Sequence, residues 1–341
     1  KNNDDYILYK LGYMNYKGLG TDQNYEVAIK YYLKSVEFKN TSAFYGLGKI
    51  YSNKEFDKCD LKKAIEYFKS AIENCEENDN LIAQAEYAIG KLYYTEEEIK
   101  NLEQAIKHFS NAADQGNQFA QYTLGKIYLK GNEVPKDIEK ALSFLNASAN
   151  QGNQFAQYTL GKLYLDGTEV PKDIEKALSF LNASANQENQ FAQYALGKLY
   201  LDGTEVPKDI EKALSFLNAS ADQENQFAQY TLGKLYYYGR DVPKDVAKAV
   251  KYFEAAAEQG NPYAQSKLFF IRNNNQKEPY LTYGTALVLS RIAYALAGMA
   301  MQHAEQEHNN NRENKHRAKF TAKNRQIHHE PNKLNLEPVQ Y

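Results

Sequence analysis

QFAQYTLGKIYLKGNEVPKDIEKALSFLNASANQGN, residues 118–153, is followed almost letter for letter by QFAQYTLGKLYLDGTEVPKDIEKALSFLNASANQEN, residues 154–189. A third copy begins at Gln190 and a looser one at Gln226. The period is 36 residues, kept by Gly125, Gly161, Gly197 and Gly233 and by Pro135, Pro171, Pro207 and Pro243. A fixed period of this size marks an array of two-helix units, each packing only on its neighbours.

Within one unit, Ala120, Leu124 and Tyr128 recur at i, i+4 and i+8 and share a helical face. Gly125 lies beside that face. A glycine inside a helix costs about 1 kcal/mol against alanine, so its place there predicts a close approach by the partner helix. Gly131 ends the first helix and Pro135 stiffens the turn. Asp137 is the N-cap of a second helix, whose apolar positions are Ile138, Ala141, Leu142, Leu145 and Ala149. Gly152 suits a left-handed turn, and Asn153 caps the next unit. Glu188 and Glu224 replace that glycine in two copies, so those turns are either right-handed or strained.

Earlier units follow the pattern loosely. Residues 5–40 form a first unit, with Leu11, Gly12 and Tyr16 on its first helix. Its second helix is expected over Tyr25–Phe38, with Ala28, Ile29, Tyr32, Leu33 and Val36 as the apolar stripe. Residues 42–75 repeat Ala43, Leu47, Gly48 and Tyr51, then Ala64, Ile65, Phe68 and Ala71. A third unit begins near Leu81 and carries Ala85, Ile89, Gly90, Tyr93, Ala105, Ile106, Phe109 and Ala112. The spacing from Gly48 to Gly90 is 42 residues, and an acidic loop over 73–79 takes up the excess. After residue 260 the pattern gives Ala264, Leu268 and Phe269 but no Leu-Gly pair, so the array is expected to stop near Ile271.

In 341 residues a single ordinary core would be near its size limit. An array avoids that limit. The formal charge of −2 gives no global attraction to nucleic acid or membrane. Cys59 and Cys75 bracket a helix of about 24 Å, too far apart for a disulfide, and two free thiols suit a reducing compartment. The chain begins at Lys1 with no basic and apolar signal segment, which reads as a fragment or processed form. A cytoplasmic location follows, with a periplasmic or secreted repeat protein as the alternative.

Residues Phe119, Tyr122 and Lys126 lie away from the Leu124 face. They recur as Phe155, Tyr158 and Lys162, then Phe191, Tyr194 and Lys198, then Phe227, Tyr230 and Lys234. Two readings stand. Stacked first helices line up Lys126, Lys162, Lys198 and Lys234 on a concave surface for an extended peptide, with Gln121, Gln157, Gln193 and Gln229 bonding its backbone. In the other reading the aromatics fill the joints between units and only the lysines are wet.

Tyr280–Met301 is long and apolar, approaching the roughly 20 residues of a membrane span. Arg291 in its middle is expensive in lipid, and a terminal unit must be covered. A capping helix is the expectation, with membrane or partner contact as the alternative. The segment 302–341 is polar, and Arg312, Lys315, Arg317, Lys319, Lys323 and Arg325 form a basic cluster. That cluster is either a solvated tail or a salt-sensitive contact to nucleic acid. The scattered His303, His308, His316, His328 and His329 are weak grounds for zinc. Glycine-rich phosphate loops, nucleophile elbows and paired histidine-glutamate motifs are missing from the sequence. No catalytic, cofactor or metal residue is assigned. Domains are expected at 1–271 (array), 272–304 (cap region) and 305–341 (tail).

The run Ala120, Leu124-Gly125, Tyr128, Gly131, Val134-Pro135, Asp137, Lys140-Ala141, Ala149 and Gly152-Asn153 resembles the Sel1-like repeat family, relatives of tetratricopeptide repeats. The resemblance is strong over the last four units and looser over the first three. It implies an all-α superhelical solenoid and an adaptor that assembles proteins rather than an enzyme, with no universal ligand residue to carry over. More narrowly, Leu287–Ala295 and Arg312–Arg325 resemble the end of Gram-positive mobilisation relaxases, whose carboxy-terminal part is a Sel1-like array. That resemblance implies a noncatalytic module of a larger DNA-processing protein, although this tail is rich in Asn and His and lacks a dense Arg-Lys run.

Overall fold

The computed structural model describes residues 3–75 and 79–273. Among them are fifteen α-helices: α1 (Asn3–Lys17), α2 (Tyr25–Val36), α3 (Thr41–Tyr51), α4 (Leu61–Glu73), α5 (Asp79–Thr95), α6 (Leu102–Asp114), α7 (Gln118–Lys130), α8 (Ile138–Asn150), α9 (Gln154–Asp166), α10 (Ile174–Ala185), α11 (Gln190–Asp202), α12 (Ile210–Asp222), α13 (Gln226–Tyr238), α14 (Val246–Glu258) and α15 (Pro262–Asn273). A 3-10 turn at Glu97–Ile99 replaces the Gly-Pro turn of the third unit. The chain divides into two compact units, Lys1–Ala228 and Gln229–Tyr341. The expected cap over 280–301 and the tail over 302–341 lie outside the described residues.

In the first unit the helices pair in sequence, α1 with α2 through α11 with α12. Each pair is antiparallel, as α7 and α8 show. At one end the Asp137 N–H donates to the Tyr128 carbonyl at 3.1 Å. At the other, the Ser148 hydroxyl donates to the Gln118 carbonyl at 2.7 Å. Between them a side chain would collide at Gly125, because its Cβ would stand 2.7 Å from Leu145 Cγ. The same contact recurs between Gly161 and Leu181 and between Gly197 and Leu217. In the second unit Gly233 meets Phe253 in the same way. Leu145 and Ala149 of α8 then pack with Ala156, Leu160 and Leu163 of α9, so one core runs from each pair into the next.

Where the repeat is loose, size is exchanged across this contact. Phe68 stands against Gly48, and Phe109 against Gly90. Tyr32 is inserted between Gly12 and Gly46 and is fully buried. That ring takes the space at the start of the array, and Leu33, expected in the apolar stripe, is exposed instead. The helix also ends at Val36 rather than Phe38, because Lys39 turns the chain with φ 59°. Glu188 and Glu224 do the same with φ 62°. Of the two readings, the strained one holds. The turn needs the Glu188 N–H on the Ala185 carbonyl and the Asn189 N–H on the Ser184 carbonyl, and only the left-handed residue brings both into reach.

At α15, Phe269 occupies the position that glycine holds in every earlier first helix, and it is 66% exposed. A helix packed on α15 as α8 packs on α7 would meet a ring here instead of a glycine. This is the steric form of the missing Leu-Gly pair.

The second helices carry a repeated surface stack. The Asp137 carboxylate accepts the Lys140 N–H at 2.9 Å. The Lys140 ammonium lies 5.4 Å from the Tyr128 ring centre, and that ring stacks on Phe144 with centroids 6.1 Å apart. Asp173, Lys176, Tyr164 and Phe180 repeat it, as do Asp209, Lys212, Tyr200 and Phe216. The backbone N–H bonds hold the pKa of Asp137, Asp173 and Asp209 below the usual 3.8, with smaller help from the lysines.

Two predictions follow from this geometry. Gly161→Leu drives bulk into Leu181 and the Ala177 carbonyl and is expected to destabilise by about 1–3 kcal/mol. Lys162→Ala, at the surface, is expected to stay within about 0.5 kcal/mol. Equal losses of Tm in the two variants would refute the pairing. The caps give the second. A carboxylate with a lowered pKa in the folded state stabilises fully above its unfolded value, and that contribution is lost as pH falls through the folded value. Asparagine caps the first helices of the same array. The triple variant Asp137→Asn, Asp173→Asn, Asp209→Asn is therefore expected to fold at neutral pH and to show a shallower loss of Tm below pH 3.8 than the native chain. Parallel acid profiles would contradict it.

Candidate partner-binding surface

Phe119, Tyr122 and Lys126 sit at i, i+3 and i+7 of α7 and share one stripe, about 140° round the helix from Ala120 and Leu124. Ala120 and Leu124 are wholly buried, so the stripe faces away from the paired helix. The tyrosines close the joints between successive first helices. Tyr122 lies 6.0 Å from Phe155, Tyr158 6.0 Å from Phe191 and Tyr194 6.0 Å from Phe227, centroid to centroid. Tyr87 meets Phe119 at 6.1 Å, so the row begins in the third pair. Burial, foremost, raises the pKa of Tyr87 and Tyr158, keeping both neutral. The phenylalanines of the same row remain open, at 43–49% exposure for Phe119, Phe155, Phe191 and Phe227.

The joint-filling expectation thus holds for the tyrosines, while the phenylalanines are surface. The clue in the sequence was their place. Each precedes the buried alanine by one residue, a step of about 100° off the core face.

The lysines divide into kinds. Lys126 lies 5.3 Å from the Tyr122 ring centre. Lys162 is tied to Asp166 at 2.9 Å and Lys198 to Asp202 at 3.9 Å. In the second unit Lys234 lies 5.6 Å from the Tyr230 ring centre.

The glutamines are not on this surface. Gln121, Gln157, Gln193 and Gln229 are 6–9% exposed. The Gln121 amide donates to the Ala113 carbonyl at 3.2 Å, and its oxygen accepts from Gln151 at 2.8 Å. Gln157 makes the same bonds to Ala149 and Gln187, and Gln193 to Ala185 and Gln223. Gln229 accepts from Gln259 at 3.4 Å. These side chains close the seam between one pair and the next, and the expectation that they meet a peptide backbone is corrected. The reason is geometric. A helix in a stack is covered on two sides, by its own partner and by the preceding pair, whereas periodicity within one helix reveals only the first.

Other candidates are dispersed. No group of three or more His, Cys, Asp or Glu residues among the described residues is arranged to hold a metal. Glu86, His108 and Asn111 form one buried polar cluster, with His108 Nδ1 2.5 Å from a Glu86 oxygen and the Asn111 amide donating to the other oxygen at 3.1 Å. Cys59 and Cys75 form no disulfide with each other. No helix among the described residues is long and apolar enough to cross a membrane. In the second unit a cleft of about 600 Å³ is lined by Glu254, Glu258, Leu268, Phe269 and Arg272, among others. The Leu287–Ala295 and Arg312–Arg325 segments lie outside the described residues.

The Sel1 repeat family model matches residues 8–37, 43–74, 83–117, 118–153, 154–189, 190–225 and 226–261. These boundaries coincide with the helix pairs. The sel1-like repeat-containing protein L21 of Acanthamoeba polyphaga mimivirus is 32% identical over 138 residues, which is 39% of this chain and 23% of that protein. Among solved structures, c5321, a protective antigen of uropathogenic Escherichia coli strains displaying an SLR fold, superposes with TM-score 0.68 at 25% identity, over 87% of this chain and 62% of its own. A Sel1 repeat protein of Oxalobacter formigenes superposes with TM-score 0.65 at 28% identity, over 78% of this chain and 76% of its own. The chain thus spans less than two thirds of the length of L21 and of c5321.

Proposed function

Because this chain belongs to the Sel1 repeat family, whose all-α solenoid fold it shares, we propose that it is a noncatalytic scaffold that binds a protein or peptide on the face of its first helices. The observation that carries the reading is the row of open phenylalanines beside lysines at one period per pair. Burying a large apolar side chain against a partner stabilises by about 1.5–3 kcal/mol, and half-exposed rings on a rigid scaffold lose little entropy when they are covered. An extended segment can meet the same stripe once per pair. The lysines at its edge suit carboxylates.

A continuous phosphate track along this face would be interrupted. Two of the four lysines of the row already have carboxylate partners on their own helices. The expected seat of any nucleic-acid contact is therefore the basic cluster at 312–325.

The reading is tested with the full chain in three forms: native, Lys126→Ala/Lys162→Ala/Lys198→Ala/Lys234→Ala, and Phe155→Ala/Phe191→Ala. A protein recovered on the native chain from an extract of its source is purified and titrated against each form by calorimetry. The lysine variant is expected to melt with the native chain. The phenylalanine variant, which loses ring contacts to Tyr122 and Tyr158, is expected to melt somewhat lower but still cooperatively, and is titrated well below its Tm. The phenylalanine variant is expected to lose at least about tenfold in affinity, ~1.4 kcal/mol, and the lysine variant a smaller factor that shrinks with salt. Undiminished affinity in both would remove this face as the site. A labelled DNA duplex is expected to bind weakly and only while 302–341 is present. Strong duplex binding after its deletion would replace the scaffold reading with a nucleic-acid one.

A further inference from the structure

The first-helix stripe is not uniform along the first unit. Its phenylalanine position reads Ser42, Gln84, Phe119, Phe155, Phe191 and Phe227 from the second pair onward. From the second pair onward, open aromatic rings at this position therefore begin at α7, while in α1 the position is held by Tyr6, which is 54% exposed. The lysine position reads Lys49, Lys91, Lys126, Lys162 and Lys198, and its electrostatics change one pair later, between α7 and α9. One turn further on stand Asn53, Thr95 and Lys130 after the first three lysines, but Asp166 and Asp202 after the last two.

The consequences are visible in the contacts. Lys162 and Lys198 are paired with those aspartates. Lys49 has only rings beside it, 5.9 Å from the Tyr16 centre and 5.8 Å from that of Tyr45. Lys126 has only the Tyr122 ring. Neither they nor Lys91 and Lys130 have a carboxylate partner among the described residues. Burial, and then the charge of Lys17, hold the pKa of Lys49 down, a strain that an incoming anion would relieve. A ring face stabilises a cation only in part, so these lysines can still gain from a carboxylate.

Resting on the partner-binding reading above, we infer that this face takes an extended peptide of two-part chemistry. One part bears carboxylates over Lys49, Lys91 and Lys126, and the other bears aliphatic or aromatic side chains over Phe155, Phe191 and Phe227. The α7 stripe, with both an open ring and an unpaired lysine, is where the two parts meet. Five steps between neighbouring first helices, at about 8–10 Å each, correspond to roughly 12–15 residues of extended chain at about 3.3 Å per residue. The order of the two parts fixes the direction in which a partner lies.

The test uses a phage-displayed library of random 16-residue peptides panned on the full chain. Selected sequences are expected to carry Asp and Glu in one half and Leu, Ile, Phe or Tyr in the other, in the same order throughout. Panning on Lys49→Ala/Lys91→Ala/Lys126→Ala is expected to abolish the acidic half and keep the apolar one. Phe155→Ala/Phe191→Ala should do the reverse. Lys162→Ala/Lys198→Ala should change neither. Synthetic versions of the native-selected peptides should bind the first variant at least tenfold more weakly at low salt. Acidic residues scattered through the selected peptides, or lost with Lys162 and Lys198 instead, would overturn the two-part assignment while leaving the scaffold reading standing. Failure to enrich any peptide on the native chain would overturn both.

Discussion

The contact on which the rest depends is a glycine against a branched or aromatic side chain. At Gly161 the first helix has no Cβ, and Leu181 of the second helix fills the space, within 2.7 Å of where that Cβ would be. The glycine costs helical stability of about 1 kcal/mol. The burial of a leucine in a site with no void offsets more than that, by about 1.5–3 kcal/mol. Because the contact recurs in each pair, the separation of the two helices is set afresh in every repeat. The loosest copies keep the arithmetic while changing the letters, with Phe68 against Gly48 and Phe109 against Gly90. In α15 Phe269 stands where the earlier first helices carry the glycine.

Stacking pairs creates a second problem, which is solved with polar groups. Each new first helix brings unpaired N–H groups to a seam with the preceding pair. Asn153 is almost fully buried there, its oxygen accepting two N–H groups of α9 at 3.0 Å. Gln157 bonds to the carbonyl of Ala149 and to Gln187. An apolar seam would leave these groups orphaned, at about 1–3 kcal/mol each. The seam is specific for this reason, since a slipped register would break every such bond at once.

The helix pairs and their caps were legible because each rests on a local pattern with one cause. Asp137 precedes an apolar period, Gly131 ends one, and Gly125 interrupts one where only close packing justifies it. What was not legible was the far side of each helix. Gln121 lies three residues from Leu124, a spacing that places it beside the core face, and its polarity alone suggested a ligand contact, yet the preceding pair covers it. Phe119 carries a strong apolar signal and was assigned to a joint that Tyr122 fills. The strained turns at Glu188 and Glu224 lay between, since the substitution posed the alternative and only the hydrogen bonds of the turn decided it. The departure of Leu33 depended on Tyr32, whose ring reaches across to two glycines in different helices, a contact no local pattern encodes.

The division of labour among positions explains how nearly identical repeats can present a varied surface. Residues facing the glycine contact or the seam touch protein on every side, and a change there is felt through the core. Of the stripe positions, the tyrosines pack into the joints, while the phenylalanines are half-exposed and the lysines meet only surface groups. Replacing the residue four after a lysine, Lys130 by Asp166 and Asp202 in the following copies, moves no helix yet turns a free cation into an ion pair. Ion pairs at this spacing contribute only about 0.3–0.5 kcal/mol to folding, so such exchanges are almost neutral for the scaffold. They are not neutral for a ligand, for which an unpaired ammonium over a ring and a neutralised one are different surfaces. Duplication can therefore lengthen the array with its packing unchanged, and single substitutions on the stripe can then decide what each repeat recognises.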